Sequence, residues 1–287
     1  MRTSLRRHVP RLQAFLRLQR QPCRARLTNL APEEEEAIVP LRDLRADGLA
    51  STSDLEKAVV NAFRALADAD LDGRRRSPRV RRAVIDQFHR LYYHSPKRTW
   101  FNTRFLGVPV QKCPLDLWIY QEMLFELRPD ILVEAGTKYG GSAYYFARLF
   151  DLLGHGEVVT IDVEPLSNRP EHPRITYVTG SSIDPQIAAE VDRMIDGRKA
   201  LVVLDSAHER DHVLAELRLW TLRVPIGSYV VVEDTHADGH PVTTRFGPGP
   251  WDAVSLFLAE NDSFEVDATK HKFFFTWNRR GYLKRVA

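Results

Sequence analysis

Cysteine is nearly missing from this 287-residue chain: Cys23 and Cys113 are its only two. That is too few for a disulfide framework or a thiolate zinc site, and a reducing, cytoplasmic setting is the expected one. No apolar stretch is long enough to cross a bilayer, so membrane insertion has little support. A dominant charge is lacking as well. Lys and Arg number 41 against 38 Asp and Glu, for a formal net charge of +3, and nothing calls for a nucleic-acid partner. The small basic excess is local: eight arginines and no acid fall within residues 1 to 29, before Glu33 to Glu36 reverse the sign. An Arg-rich, acid-free start is shared with transit peptides, but a solvated or subunit-contacting helix is the expectation here.

What is present reads as an ordinary soluble globular protein, with 44% hydrophobic and 28% charged residues. The length allows one large domain, or one domain with a helical extension. Residues 1 to 90 are expected to form that extension, as an oligomer contact or a cover over the substrate. Within it "STSDLEKAVVNAFRALADADL" puts Leu55, Val59, Phe63 and Leu66 on one helical face, with Ser53 or Asp54 able to cap the start. Residues 91 to 287 are expected to be the catalytic domain.

That second part has a regular rhythm. "LDLWIYQEMLFELRPD" reads as a helix stopped before Pro129. Then "ILVEA", "EVVTI", "ITYVT", "ALVVLD" and "YVVVED" alternate with helical stretches. Short continuous Val/Ile/Leu runs suit strands buried on both faces, and the alternation implies right-handed crossovers in a parallel sheet. At the end "SFEVD", "KFFFTW" and "GYLKRV" follow closely without a helix between them, which predicts antiparallel pairing. The predicted fold is Rossmann-like and doubly wound, a mostly parallel seven-stranded sheet with a C-terminal antiparallel hairpin. Class I S-adenosylmethionine-dependent methyltransferases are arranged this way.

In such a sheet the ligand site lies outside the carboxyl ends of the strands. After the first strand comes "EAGTKYGGS", which lacks the Gly-x-Gly of the dinucleotide fingerprint. Gly136 allows a tight turn, while Gly140 and Gly141 let backbone approach a ligand. Glu134 is a poor neighbour for a pyrophosphate and a good one for a cationic amino-acid moiety. The second strand ends at Asp162, where an acid accepts hydrogen bonds from ribose hydroxyls or, as the plainer reading, caps the next segment. After the third strand Gly180, Ser181 and Ser182 are available to an adenine edge, although Ser and Gly fill most loops.

Asp205 ends the fourth strand, and Glu233 and Asp234 end the fifth. Three carboxylates brought into one crevice repel unless a cation lies among them, and oxygen ligands favour Mg²⁺. Taken singly, each acid could equally cap its own turn. His208, three residues beyond Asp205, could take a proton from a substrate hydroxyl. It could also support the carboxylates or lie on the surface, and His236 and His240 compete for the role. "THADGHPVTTRFGPGPWDAV" is long enough and rich enough in Gly and Pro to be a lid, with Trp251 lining an apolar wall or packing on the next helix.

The stretches "GVPVQKCPLDLWIYQEMLFELRPDILVEAGTKYGGSAYYFA", "LDSAHERDHVLAELRLW", "GSYVVVEDT", "GPGPWDAV" and "GYLKRV" resemble the family commonly labelled cephalosporin hydroxylase, with its relatives among the rhamnosyl and macrolide-sugar O-methyltransferases. The resemblance covers residues 106 to 287. It implies that Glu134, Gly136, Tyr139, Gly140 and Ser142 surround the methionine part of S-adenosylmethionine, that Asp162 takes the ribose, and that Ser182 lies near the adenine. It also implies that Asp205, Glu233 and Asp234 hold Mg²⁺ and that His208, or Asp205 itself in another branch, is the base. The activity it implies is methyl transfer to a hydroxyl of a sugar or polyhydroxylated natural product in secondary metabolism, by a homo-oligomer. An NAD-dependent oxidoreductase on the same fold, or a non-catalytic scaffold, are the alternatives.

Overall fold

The computed structural model describes residues 78–95, 99–242 and 247–287. The Arg-rich and Glu-rich blocks, the helix expected from Ser53 onward, and residues 243–246 of the lid segment lie outside them. Helix α1 (Pro78–Tyr93) leads through a single 3-10 turn into a two-stranded antiparallel ribbon, β1 (Arg104–Phe105) and β2 (Val108–Pro109). Helix α1 therefore runs across residue 90 and packs on the domain along its length, with Arg81 over Phe274, Asp86 bound to Arg279 and Phe88 against Phe275. Helix α2 (Pro114–Leu127) starts with proline in its first turn, where a missing N–H costs nothing. It stops at Arg128, whose left-handed φ of 47° directs the chain away before Pro129.

The five expected runs are all strands: β3 (Ile131–Ala135), β4 (Glu157–Asp162), β5 (Ile175–Thr179), β6 (Ala200–Leu204) and β7 (Tyr229–Val232). Helices α3 (Gly141–Leu153), α4 (Pro185–Ile195) and α5 (Arg210–Trp220) connect them, and α6 (Pro250–Glu260) precedes β8 (Phe264–Val266) and β9 (Tyr282–Arg285). The seven-stranded sheet runs in the order β5-β4-β3-β6-β7-β9-β8, parallel from β5 to β7, with β9 antiparallel to both its neighbours.

Period-two alternation builds two cores from these strands. Ile131, Val133, Val202, Leu204, Val230 and Val232 point to the face covered by α4, α5 and α6, meeting Val191, Leu217, Trp220 and Phe257. Leu132, Leu201, Val203, Tyr229 and Val231 point to the other face, meeting Tyr120, Met123, Leu124, Phe146 and Phe150 of α2 and α3. The order of strands reverses between β3 and β6, so a crevice opens there at the carboxyl ends.

One expected strand is not a strand. "KFFFTW" forms turns and irregular chain, with Phe273 and Phe274 exposed. Three consecutive phenylalanines do not alternate between faces, and β9 already has a partner on each side. Phe275 and Trp277 instead join Cys113, Tyr92, Tyr93 and Trp100 in a third, aromatic cluster under α1.

Candidate active site

The turn after β3 is held against the turn after β6. Gly136, at φ 97°, donates its N–H to Ile161 O at 2.8 Å, and a Cβ there would sit 1.9 Å from Asp205 O. Only glycine lets the two strand ends approach so closely. Gly140 caps α3 in the left-handed region, and Gly141 faces the backbone of Pro109, whose oxygen a Cβ would meet at 2.0 Å. Tyr139 and Ser142 follow this path and line a cleft of about 590 Å³, together with Asp162, Ser182, Asp205, His208 and Asp234.

Glu134 is fully buried behind the turn. Its Oε2 accepts from Thr160 Oγ1 at 2.7 Å, while its Oε1 has no hydrogen-bond partner among the described residues. Burial pushes the carboxyl up to about 7, against the pull of Lys112 and the neighbouring hydroxyls. Asp162, at the end of β4, accepts from the main-chain N–H of Lys138 at 2.7 Å and of Glu164 at 2.9 Å, with Arg169 at 3.4 Å. Ser182 is bound to Glu216 at 2.5 Å, and Ser206 donates to the same oxygen at 2.5 Å, with His212 3.3 Å from both hydroxyls. Trp220 Nε1 fixes the loop by donating to Ser182 O at 2.9 Å.

Asp205, His208 and Asp234 come together, each offering an atom within 4.8 Å of the others. His208 Nε2 is 3.4 Å from Asp234 Oδ2. Asp234 sits at φ 56°, a conformation Asp tolerates better than most residues, so the chain turns sharply between it and Glu233. Glu233, expected beside the aspartates as a metal ligand, is bridged to Asp205 by Lys112: its Oε1 accepts from Tyr120 Oη at 2.5 Å and lies 3.0 Å from Lys112 Nζ, which is 2.8 Å from Asp205 Oδ2. His208 is the third side chain that comes close to Asp205 and Asp234.

Lys112 is the residue that sequence reasoning missed. Its side chain is 2% exposed, and Nζ is 2.8 Å from Asp205 Oδ2 as well as 3.0 Å from Glu233. Burial acts on this pair in opposite senses, pushing Glu233 toward its neutral form and opposing the charge on Lys112. Asp205, Glu233 and Glu134 together outweigh that opposition, and Lys112 stays a cation. Burial also pushes Asp234 above the usual carboxylate range, offset by His208. A lone lysine inside "VPVQKCPLDLW", just before a helix whose core face is apolar, was the available clue. The Ser182, Ser206, His212 and Glu216 knot was visible only as isolated polar residues.

The two competing histidines are held by ring stacking, although His236 Nδ1 also lies 3.5 Å from Asp234 Oδ1. His236 is 1% exposed and stacks on Trp277, with centroids 4.8 Å apart. His240 stacks on Trp251 at 4.4 Å, and Arg280 covers that same ring at 4.8 Å. Trp251 lies within α6 itself, and its ring is covered by His240 and Arg280, a setting that neither of its two expected roles described.

Comparison with known proteins places the chain in a family. The family model described as Rhamnosyl O-methyltransferase/CmcI matches residues 97–286. A rhamnosyl O-methyltransferase of Mycobacterium bovis is 38% identical over 213 residues, 71% of this chain and 85% of the relative. One of Mycobacterium leprae is 34% identical over 210 residues, covering 71% and 91%. A solved CmcI structure described as Mg-SAM superposes with a TM-score of 0.51 at 22% identity, over 65% of this chain and 78% of that one, a likeness of fold. The chain belongs to the rhamnosyl O-methyltransferase/CmcI family, and with it to the S-adenosylmethionine-dependent O-methyltransferases.

Proposed function

We propose that this protein methylates a hydroxyl of a sugar or sugar-bearing natural product in secondary metabolism, using S-adenosylmethionine and Mg²⁺. The observation that carries the reading is the convergence of Asp205, His208 and Asp234 at the switch point, within 4.8 Å of one another. The names of the mycobacterial relatives, rhamnosyl O-methyltransferases, support a sugar acceptor.

The residues fit both groups. Glu134 Oε1, buried without a partner, suits a ligand that brings its own cationic donor, as the methionine ammonium does. S-adenosylmethionine supplies an electrophilic methyl group. Asp162 keeps lone pairs for ribose hydroxyls after accepting its two main-chain bonds. Tyr139, Gly140 and Ser142 shape the methionine end, and Ser182 the adenine side. Asp205 and Asp234 are the carboxylates placed to hold Mg²⁺, which supplies Lewis acidity to neighbouring substrate oxygens. Glu233 completes the acidic trio: Tyr120 and Lys112 both bind its Oε1, which leaves Oε2 to turn toward the ion. His208 takes the acceptor's proton at Nε2, where Asp234 stabilises the imidazolium that results.

The test is a screen of glycosides with methyl-labelled S-adenosylmethionine and Mg²⁺, run on the wild type and Asp205→Ala. Labelled product from the wild type alone is expected. Calorimetry showing NADH binding and no S-adenosylhomocysteine binding would replace the reading with an oxidoreductase.

A further inference from the structure

The cleft has a second lining that the cofactor does not need. In strand order its residues run from Ser182 after β5, through Asp162 after β4 and Thr137 after β3, to Asp205 after β6 and Asp234 after β7. Beyond Asp234 the wall becomes aromatic, built from Tyr93, Trp100, His236 and Trp277.

These rings form one fixed surface. Tyr93 and Trp100 lie parallel, 5.2 Å apart at 11°, and Trp100 Nε1 donates to Tyr93 O at 3.0 Å. Trp277 stands edge-on to Trp100 at 5.7 Å and stacks on His236 at 4.8 Å. Its main-chain N–H is anchored to the buried Asp116 at 2.8 Å. Two buried nitrogens of this wall, Trp277 Nε1 and His236 Nε2, have no hydrogen-bond partner among the described residues. Packing alone would be served by Phe or Leu, and each unmatched nitrogen carries a desolvation cost. The two are also complementary. Trp277 Nε1 can only donate, and His236 Nδ1, 3.2 Å from Trp277 O, donates there and leaves Nε2 as an acceptor. A hydroxyl, which both donates and accepts, is the kind of partner that each of them lacks.

Charge narrows the ligand further. The lysines lining the cleft among the described residues are Lys112, bound to Asp205 and Glu233, and Lys138, on the cofactor side next to Glu164. The aromatic end offers a phosphate no countercharge from them. We propose that Tyr93, Trp100, His236 and Trp277 form the acceptor subsite, and that it receives a neutral pyranose of a glycoside by its C–H face. This deepens the function proposed above and rests on it.

The test uses the full chain saturated with S-adenosylhomocysteine and Mg²⁺, titrated with methyl α-rhamnopyranoside by tryptophan fluorescence. Trp100→Leu is expected to weaken glycoside binding about tenfold, and Trp100→Phe to recover most of it, because stacking needs a ring and apolar volume alone does not supply it. Calorimetric affinity for S-adenosylhomocysteine stays at the wild-type value in both. Tyr93→Leu, the other half of the stack, serves if Trp100→Leu does not fold. Wild-type glycoside affinity in a folded leucine variant overturns the proposal, as does wild-type preference for a nucleoside diphosphate sugar over the neutral glycoside. Failure of the underlying function reads differently: glycoside bound at the wall with no methyl transferred to any acceptor.

Discussion

Replacing Lys112 by methionine keeps the length of the side chain and removes the one cation that touches both Asp205 and Glu233. Breaking a buried ion pair by removing one partner costs about 3–5 kcal/mol when the other charge is left behind. Asp205 is 21% exposed and recovers part of its hydration, whereas Glu233 at 3% does not, so the lower end, about 3 kcal/mol, is expected near neutral pH. The cost depends on pH with a definite sign. Burial already raises the folded-state pKa of Glu233 above its unfolded value, and Lys112 is what pulls it down. A carboxyl raised in this way contributes its stability at low pH and loses it as pH rises through the folded value. Without Lys112 that loss deepens, and the gap between variant and wild type widens from pH 5 to pH 8.5. Urea unfolding followed by circular dichroism reads it directly: at about 2 kcal/mol per molar, the midpoint falls by about 1.5 M at pH 8 and by less at pH 5. Mg²⁺ at 100 times its dissociation constant restores up to about 2.7 kcal/mol if it replaces the lost charge among the carboxylates. Equal midpoints for variant and wild type at both pH values would refute the assignment of Lys112 as the site's internal countercharge.

Three further outcomes are expected. Glu134→Gln removes a carboxyl held at about 7 against 4.5, so it gains up to about 3 kcal/mol of stability at pH 8 that the wild type loses between pH 4.5 and 7; the same change weakens S-adenosylhomocysteine about 10- to 100-fold by calorimetry, for loss of a charged hydrogen bond. Gly136→Ala has to open the contact between the β3 and β6 turns and take a strained φ, which costs at least about 2 kcal/mol in unfolding experiments and abolishes cofactor binding. Burial and Arg279 hold His89 near 4 against 6.5, so the neutral form it keeps in the fold is worth about 3 kcal/mol that is present above pH 6.5 and lost as pH falls toward 4; His89→Phe flattens that acid limb of the stability curve.

The sheet was legible because five apolar runs of strand length, separated by helical stretches, leave one topology that buries both faces. The acids ending those runs were legible for the same reason, since strand ends converge wherever the order reverses. Which way each side chain turns was not. Glu233 and Asp234 are neighbours in sequence, yet the left-handed backbone at Asp234 sends one to Lys112 and the other to His208. Lys112 comes from 93 residues before Asp205, a separation no local pattern encodes. "KFFFTW" has strand composition, but its aromatic rings find a better surface under α1 than a third place at the sheet edge would give. The aromatic wall is assembled from residues 93, 100, 236 and 277, of which the sequence singled out His236 alone, and as a candidate base.

The central claim is methyl transfer to a sugar hydroxyl at a divalent-metal site built on Asp205 and Asp234. Its most direct test is turnover of methyl-labelled S-adenosylmethionine with a neutral glycoside acceptor, before and after removal of divalent ions by EDTA. The account predicts that labelled glycoside stops forming in EDTA and forms again when Mg²⁺ is returned. Undiminished methylation in EDTA would contradict it.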